Sequence, residues 1–128
     1  MNMASILLVD DSDVVRFEVA TALIKSGHVV HEGIHGREGL RIASSDIAID
    51  LIITDLNMPD MDGIAMLKEV RKLPQRAAIP VFMLTTEASQ SLRALGKEVG
   101  ILMWLVKPFK AEKVLPFIDK VLSRSISA

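Results

Sequence analysis

The sequence of 128 residues contains no cysteine, no apolar stretch long enough to span a bilayer and almost no net charge. Without cysteine, disulfide bonds, thiol chemistry and thiolate metal sites are excluded. The apolar run at residues 6–9 is too short for a signal peptide and ends on two aspartates. A formal net charge of −1 provides no general attraction to nucleic acid or to a membrane surface. We therefore expect a cytoplasmic protein that binds no nucleic acid and does not insert into a membrane.

Internal repeats, low-complexity segments and linkers are also missing, and the tail after Arg124 is too short to hold an output domain. The length is sufficient for one domain to bury its own core. We expect a single domain over residues 1–128, with its core over about residues 4–123. Half of the residues are apolar and the mean hydropathy is +0.37, which is typical of a sheet that is buried on both faces.

Short apolar runs alternate with helical patterns along the chain. The predicted strands are residues 5–9, 28–32, 51–54, 81–84 and 102–106, of which 28–32 is half polar and is placed at a sheet edge. Pro116 either lies in the first turn of the last helix or bends that helix. The alternation predicts right-handed crossovers and an α/β fold with a doubly wound, five-stranded parallel sheet. The helices have apolar residues three and four apart: Phe17, Ala20 and Ile24; residues 37–44; Ile64, Leu67 and Val70; Leu92, Leu95 and Val99; and Val114, Ile118, Val121 and Leu122.

Polar side chains follow four of the five predicted strands. In open α/β sheets, ligands bind beyond the carboxyl ends of the strands, so these side chains converge on one rim. Each of them alone has a common structural explanation, since an aspartate after a strand is most often a helix cap or a turn residue. The combination is what indicates a site. Its members are Asp10, Asp11, Asp55, Thr85 and Lys107.

The residue types at this rim fit phosphoryl transfer. Three aspartates packed together favour a divalent cation, and so few carboxylates suit Mg²⁺ better than Ca²⁺. Asp55 is a candidate nucleophile that would attack phosphorus to give an acyl phosphate. The metal and Lys107 would neutralise the transferring group, to which Thr85 would donate a hydrogen bond.

Four segments at matching spacing carry a family resemblance. They are ILLVDDS at residues 6–12, ITDLNMPDMDG at 53–63, LTTE at 84–87 and VKPF at 106–109. With these segments the chain resembles the receiver domain of bacterial response regulators, and within that family the single-domain, CheY-like regulators. The resemblance implies a flavodoxin-like sheet of order 2-1-3-4-5, a function in two-component phosphorelays, and phosphorylation by a histidine kinase or phosphotransfer protein.

The resemblance also implies a role for each matching residue. Asp55 would be the phosphoacceptor, and Thr85 and Lys107 would contact the phosphoryl group. A cis bond would join Lys107 to Pro108. The Mg²⁺ ligands would be Asp10, Asp11, Asp55 and the backbone carbonyl of Asn57.

The switch and its timing follow from the same resemblance. Trp104 stands where the family usually has tyrosine or phenylalanine, and it would move inward together with Thr85. The face formed by the fourth helix, fifth strand and fifth helix would then contact a target protein. Asn57 and Glu87 would tune self-dephosphorylation, which we expect to be fast. Apart from Mg²⁺-dependent self-phosphorylation from phosphodonors and self-dephosphorylation, we expect no enzymatic activity.

Several alternative functions share this fold class. A flavin carrier would need a glycine- or hydroxyl-rich phosphate loop where Asp10 and Asp11 stand. A phosphatase working through an aspartyl-phosphate would need a second acid or base and a substrate pocket. Among receivers, a chemotaxis-like regulator, a phosphate shuttle or sink in a relay, and a degenerate receiver acting as a phosphorylation-independent adaptor all stay open.

Overall fold

A single five-stranded sheet organises the chain, and all of its strand pairs are parallel. The computed structural model describes residues 3–86 and 89–126. The strand order is β2-β1-β3-β4-β5, as predicted. The elements in chain order are β1 (Ser5–Val9), α1 (Asp13–Lys25), β2 (Val29–Gly33), α2 (Gly36–Ala43), β3 (Leu51–Asp55), α3 (Gly63–Val70), a 3₁₀ turn (Pro74–Arg76), β4 (Val81–Thr85), α4 (Gln90–Glu98), β5 (Ile101–Val106) and α5 (Ala111–Ile126).

The interior strands account for the high hydropathy of the sequence. Every residue of β3 and β4 is buried, because helices cover both faces of the sheet. The half-polar β2 lies at one edge, as predicted, and β5 lies at the other. β3 and β4 each extend one residue further than predicted, so Asp55 and Thr85 are the last residues of their strands.

Two hydrophobic cores lie on opposite faces of the sheet. Helices α1 and α5 cover one face, where Leu23 and Ile118 pack against Ile6 and Leu8. Helices α2, α3 and α4 cover the other face. Alternate residues of β1 point to the two cores, as the two-residue period of a strand requires. The second core contains Leu7, Val9, Met66, Leu67, Met83 and Val99.

In two helices, part of the apolar spacing that identified the helix does not face the core. In α1, Phe17 is 73% exposed and Ile24 is 57% exposed, whereas Val19, Ala20 and Leu23 are buried. Apolar residues surround α1 on all sides, so their spacing does not select a face.

Helix α4 has the same feature, because Leu95 is part of its apolar spacing but is 44% exposed. In α5, Pro116 lies in the second turn rather than the first. None of the helices in the described ranges is long and apolar enough to cross a membrane.

Candidate functional site

Three carboxylates meet at the carboxyl ends of β1 and β3. Asp10 and Asp55 are buried and Asp11 is exposed, and one oxygen from each lies within 4.8 Å of the others. Oδ1 of Asp10 accepts a 2.8 Å hydrogen bond from the backbone N–H of Ser12. Oδ2 of Asp10 is buried, and the ammonium of Lys107 lies 3.2 Å from it. Three carboxylates grouped in this way fit the ligand set of a hard cation such as Mg²⁺.

Lys107 supplies the positive charge at this cluster. Its Nζ lies 3.2 Å from Oδ2 of Asp10 and 3.3 Å from Oδ1 of Asp55. Its backbone N–H donates a 2.7 Å hydrogen bond to the carbonyl of Thr85, which fixes the start of the β5–α5 loop against β4. The peptide bond between Lys107 and Pro108 is cis. One ammonium is therefore shared by two buried carboxylates.

This sharing leaves negative charge uncompensated. Burial and the neighbouring charge of Asp10 raise the pKa of Asp55, although Lys107 and the backbone N–H of Leu56 act in the opposite direction. Burial opposes the charge on Lys107 as well, but Asp10 and Asp55 outweigh this and raise the pKa of Lys107. The ammonium is held firmly while Asp55 is ionised at a cost. Further positive charge at the cluster would lower that cost.

The loop after β3 is folded tightly onto the end of that strand. The backbone N–H of Gly63 donates a 2.8 Å hydrogen bond to the carbonyl of Leu56. A Cβ at Gly63 would lie 2.3 Å from the carbonyl oxygen of Asp55, so only glycine fits here. Asp62 caps α3 by accepting a 2.7 Å hydrogen bond from the N–H of Ala65. These contacts hold Asn57 on an exposed loop two residues beyond Asp55.

A second attachment holds the same loop from the side. Asp60 has a left-handed backbone, with φ of 72°, and its carboxylate pairs with the guanidinium of Arg37 at the start of α2. A Cβ at Gly36 would lie 2.6 Å from the carbonyl oxygen of Met61, so the two loops are in close contact. Sequence reasoning assigned no role to these residues. The only available signal was a glycine beside a polar turn.

Thr85 and Trp104 lie on one face of the sheet. The β4–β5 register pairs Met83 with Trp104 and Thr85 with Val106. Because side chains alternate along a strand, Met83, Thr85 and Trp104 point to the same side. Thr85 is fully buried and Trp104 is half-buried. The predicted tuning residue Glu87 lies outside the described residues.

The comparison with known proteins decides the family. Residues 6–119 match the response regulator receiver domain family. The chain belongs to this family. It is therefore a receiver domain of two-component signalling, a class of non-enzymatic signalling modules that interact with histidine kinases or phosphotransfer proteins.

Individual receivers match over nearly their whole length. The protein PilH of Pseudomonas aeruginosa is 32% identical over 121 residues, which are 94% of this chain and 99% of PilH. The structure of the chemotaxis protein CheY4 of Vibrio cholerae has 42% identity and a TM-score of 0.88, and it covers 93% of this chain and 98% of CheY4.

A third receiver bears on the acidic cluster. The receiver domain of sensor histidine kinase PA1611 from Pseudomonas aeruginosa was solved with a magnesium ion coordinated in its active-site cleft. It has 26% identity and a TM-score of 0.85, over 94% of this chain and 98% of that one. Receiver domains bind Mg²⁺ at an acidic pocket, and the acidic cluster of this receiver is Asp10, Asp11 and Asp55.

Proposed function

We propose that this receiver is a stand-alone response regulator that accepts a phosphoryl group on Asp55. The observation that carries the proposal is the position of Lys107, whose ammonium lies within 3.3 Å of both Asp10 and Asp55 at a buried acidic cluster. Two buried carboxylates share this one ammonium, so part of the negative charge of the cluster is unbalanced until a cation is added. The donor would be a sensor histidine kinase or a phosphotransfer protein.

The chemistry follows from the positions of these side chains. A carboxylate oxygen of Asp55 attacks phosphorus and forms a new P–O bond, while the bond to the donor breaks and its electron pair leaves with the donor. Lys107 turns from the carboxylate of Asp55 to an oxygen of the transferred group and balances its charge. Mg²⁺ held by Asp10, Asp11, Asp55 and the carbonyl of Asn57 would supply the remaining positive charge.

Thr85 and Trp104 would carry the signal away from the phosphorylated site. The hydroxyl of Thr85 would donate a hydrogen bond to a phosphoryl oxygen. The movement of Thr85 toward the phosphoryl group would change the space beside Trp104 on the same sheet face. The surface of α4, β5 and α5 would then contact the target. Leu102 and Val106 are exposed on β5. The exposed lysines of α4 and α5 favour a target with an acidic segment.

The phosphorylated state would be short-lived. Asn57 is exposed beside Asp55, so it leaves room for a water that attacks the acyl phosphate and releases Asp55 as a carboxylate. We propose that Asn57 and Glu87 set this rate. Replacing both by bulky residues should lengthen the phosphoryl lifetime, measured by intact mass after removal of the donor. An unchanged lifetime would contradict this role.

A chemotaxis-like output is supported by the match to CheY4 over 98% of that protein. A phosphate shuttle or sink would return the phosphoryl group to a phosphotransfer protein, and a degenerate adaptor would not be phosphorylated at all. Back-transfer from purified phosphorylated protein to a phosphotransfer domain separates the first two functions.

The first experiment is intact-mass analysis after incubation with acetyl phosphate, with and without Mg²⁺. We expect a gain of one phosphoryl group that requires Mg²⁺ and is lost in Asp55→Asn. Asp62→Asn is the matched control, because Asp62 is an exposed aspartate of the neighbouring loop that caps α3. Phosphorylation of Asp55→Asn, or no phosphorylation of the wild-type protein with Mg²⁺ bound, would overturn the proposal.

A further inference from the structure

Helix α4 faces the sheet with a glycine. Gly96 is the one buried residue among Gln90–Glu98, all of which the structure describes. An amphipathic helix normally places a large apolar side chain at such a position, and glycine inside a helix is unfavourable. Leu92 is half-buried and Leu95 is exposed, so neither takes that place. The glycine therefore has a packing reason.

That reason is the indole of Trp104. A Cβ at Gly96 would lie 2.6 Å from Cζ2 of Trp104 and 2.9 Å from Cδ1 of Ile101, closer than the 3.0 Å that real Cβ atoms keep. The terminal methyl of Ile101 can rotate away, but the indole is rigid and must move as a whole. Gly96 thus forms a notch in α4, and the six-membered ring of Trp104 occupies it.

The rest of the indole is also held by α4 and β4. Cζ of Arg93, one helical turn before Gly96, lies 6.0 Å from the centre of the Trp104 ring, at the outer limit of a cation–π contact. On the strand side, Trp104 is paired with Met83 and shares its sheet face with Thr85. The indole therefore connects α4 to the sheet face that carries Thr85, the last residue of β4.

We propose that Gly96 is a positioning residue that holds Trp104 against α4 in the unphosphorylated receiver. The notch gives the larger indole a resting pose on this helix. Phosphorylation must then work against this contact, so the fit at Gly96 sets how readily the site is phosphorylated. This last step rests on the proposed function, whereas the positioning of the indole by Gly96 does not.

A double-mutant cycle tests the notch itself. Gly96→Ala, Trp104→Phe and the double variant are compared with wild type by urea unfolding. We expect Gly96→Ala to lower the unfolding midpoint in the wild-type background and to raise it in the Trp104→Phe background, where alanine favours the helix and the indole clash is gone. An equal loss in both backgrounds would assign the clash to Ile101 and overturn the proposal.

Fluorescence provides a readout that general destabilisation does not change. Trp104 is the only tryptophan in the chain, so emission and acrylamide quenching report its pose directly. We expect both to change in folded Gly96→Ala and to stay at wild-type values in Ala94→Gly, a matched change at an exposed site of the same helix. An unchanged spectrum in Gly96→Ala would overturn the proposal.

Phosphorylation by acetyl phosphate tests the coupling to the site. We expect Gly96→Ala to raise the initial rate, and the double variant to return to the rate of Trp104→Phe. An unchanged rate in Gly96→Ala, with the fluorescence shifted, would overturn the coupling. If wild type is not phosphorylated, the proposed function fails, while the unfolding cycle and the fluorescence still decide the role of Gly96.

Discussion

Helices α3 and α4 flank the candidate site but are attached to the sheet very differently. Five of the eight residues of α3 are buried, and its first residue, Gly63, is in contact with the end of β3. In α4, one residue of nine is buried. It is Gly96, and the indole of Trp104 occupies the space that a side chain at this position would take. Helix α3 is therefore held both by buried apolar side chains and by the backbone contact at Gly63. Helix α4 is held less firmly, by Gly96 against Trp104 and by the half-buried Leu92, which suits an element that changes position.

The largest expected effect is on the rate of phosphoryl transfer at the candidate site. Lys107→Met removes the ammonium that Asp10 and Asp55 share, and should reduce the initial rate of phosphorylation by acetyl phosphate by about 100-fold. Lys110→Met is the control, because Lys110 is exposed three residues further along the chain. Equal rates in the two variants would show that the shared ammonium contributes nothing to transfer.

A pair of leucines tests the packing of the two helices. Leu67 in α3 is fully buried and Leu95 in α4 is exposed. Leu67→Ala should reduce the free energy of unfolding by about 2–5 kcal/mol, because it leaves a cavity. Leu95→Ala should change it by less than about 1 kcal/mol. Urea unfolding measures both, and similar losses would mean that α4 is packed as firmly as α3.

The same glycine substitution can be made in both helices. In Gly63→Ala the new methyl meets the backbone of Asp55, which cannot rotate away, so we expect a loss of about 1–3 kcal/mol of unfolding free energy. Gly96→Ala meets only side chains, and its loss should be smaller and recovered by Trp104→Phe. A Gly63→Ala protein as stable as wild type would contradict the tight loop at the site.

The smallest expected effect concerns the charge of Asp55 without metal. Because its pKa is raised in the folded state, ionised Asp55 destabilises the fold: its contribution is favourable below its ordinary pKa and is lost as pH rises through the folded-state pKa. In EDTA at neutral pH, Asp55→Asn should therefore unfold at a higher urea concentration than wild type, and the difference should shrink in acid. Asp46→Asn, at an exposed aspartate, is the control.

Mg²⁺ should make the wild-type protein more stable to urea than Asp55→Asn, the reverse of the order expected in EDTA. At ten times its Kd it should stabilise the wild-type protein by about 1.4 kcal/mol, and Asp55→Asn by less, because that variant lacks one carboxylate ligand. Urea unfolding with and without Mg²⁺ measures both values. Equal stabilisation of the two proteins would exclude Asp55 from the metal site.

Much of this protein could be predicted from its sequence. Parallel strands buried on both faces require continuous apolar runs, and the carboxyl ends of such strands must share a rim, so the sheet and the meeting of Asp10, Asp55 and Lys107 followed from pattern and topology. The strand order came from the family resemblance and is confirmed.

Only the tertiary structure decided which side of a helix is buried and how the rim is held. Phe17 and Leu95 belong to the apolar spacing that identified α1 and α4 but are exposed, because such spacing identifies a helix without specifying its partner. The clearance at Gly63 and Gly96 is invisible in sequence, since a glycine becomes necessary only when a backbone or a ring approaches it in space. Local periodicity and strand ends are properties of the chain itself, whereas contacts between residues far apart in sequence exist only after folding.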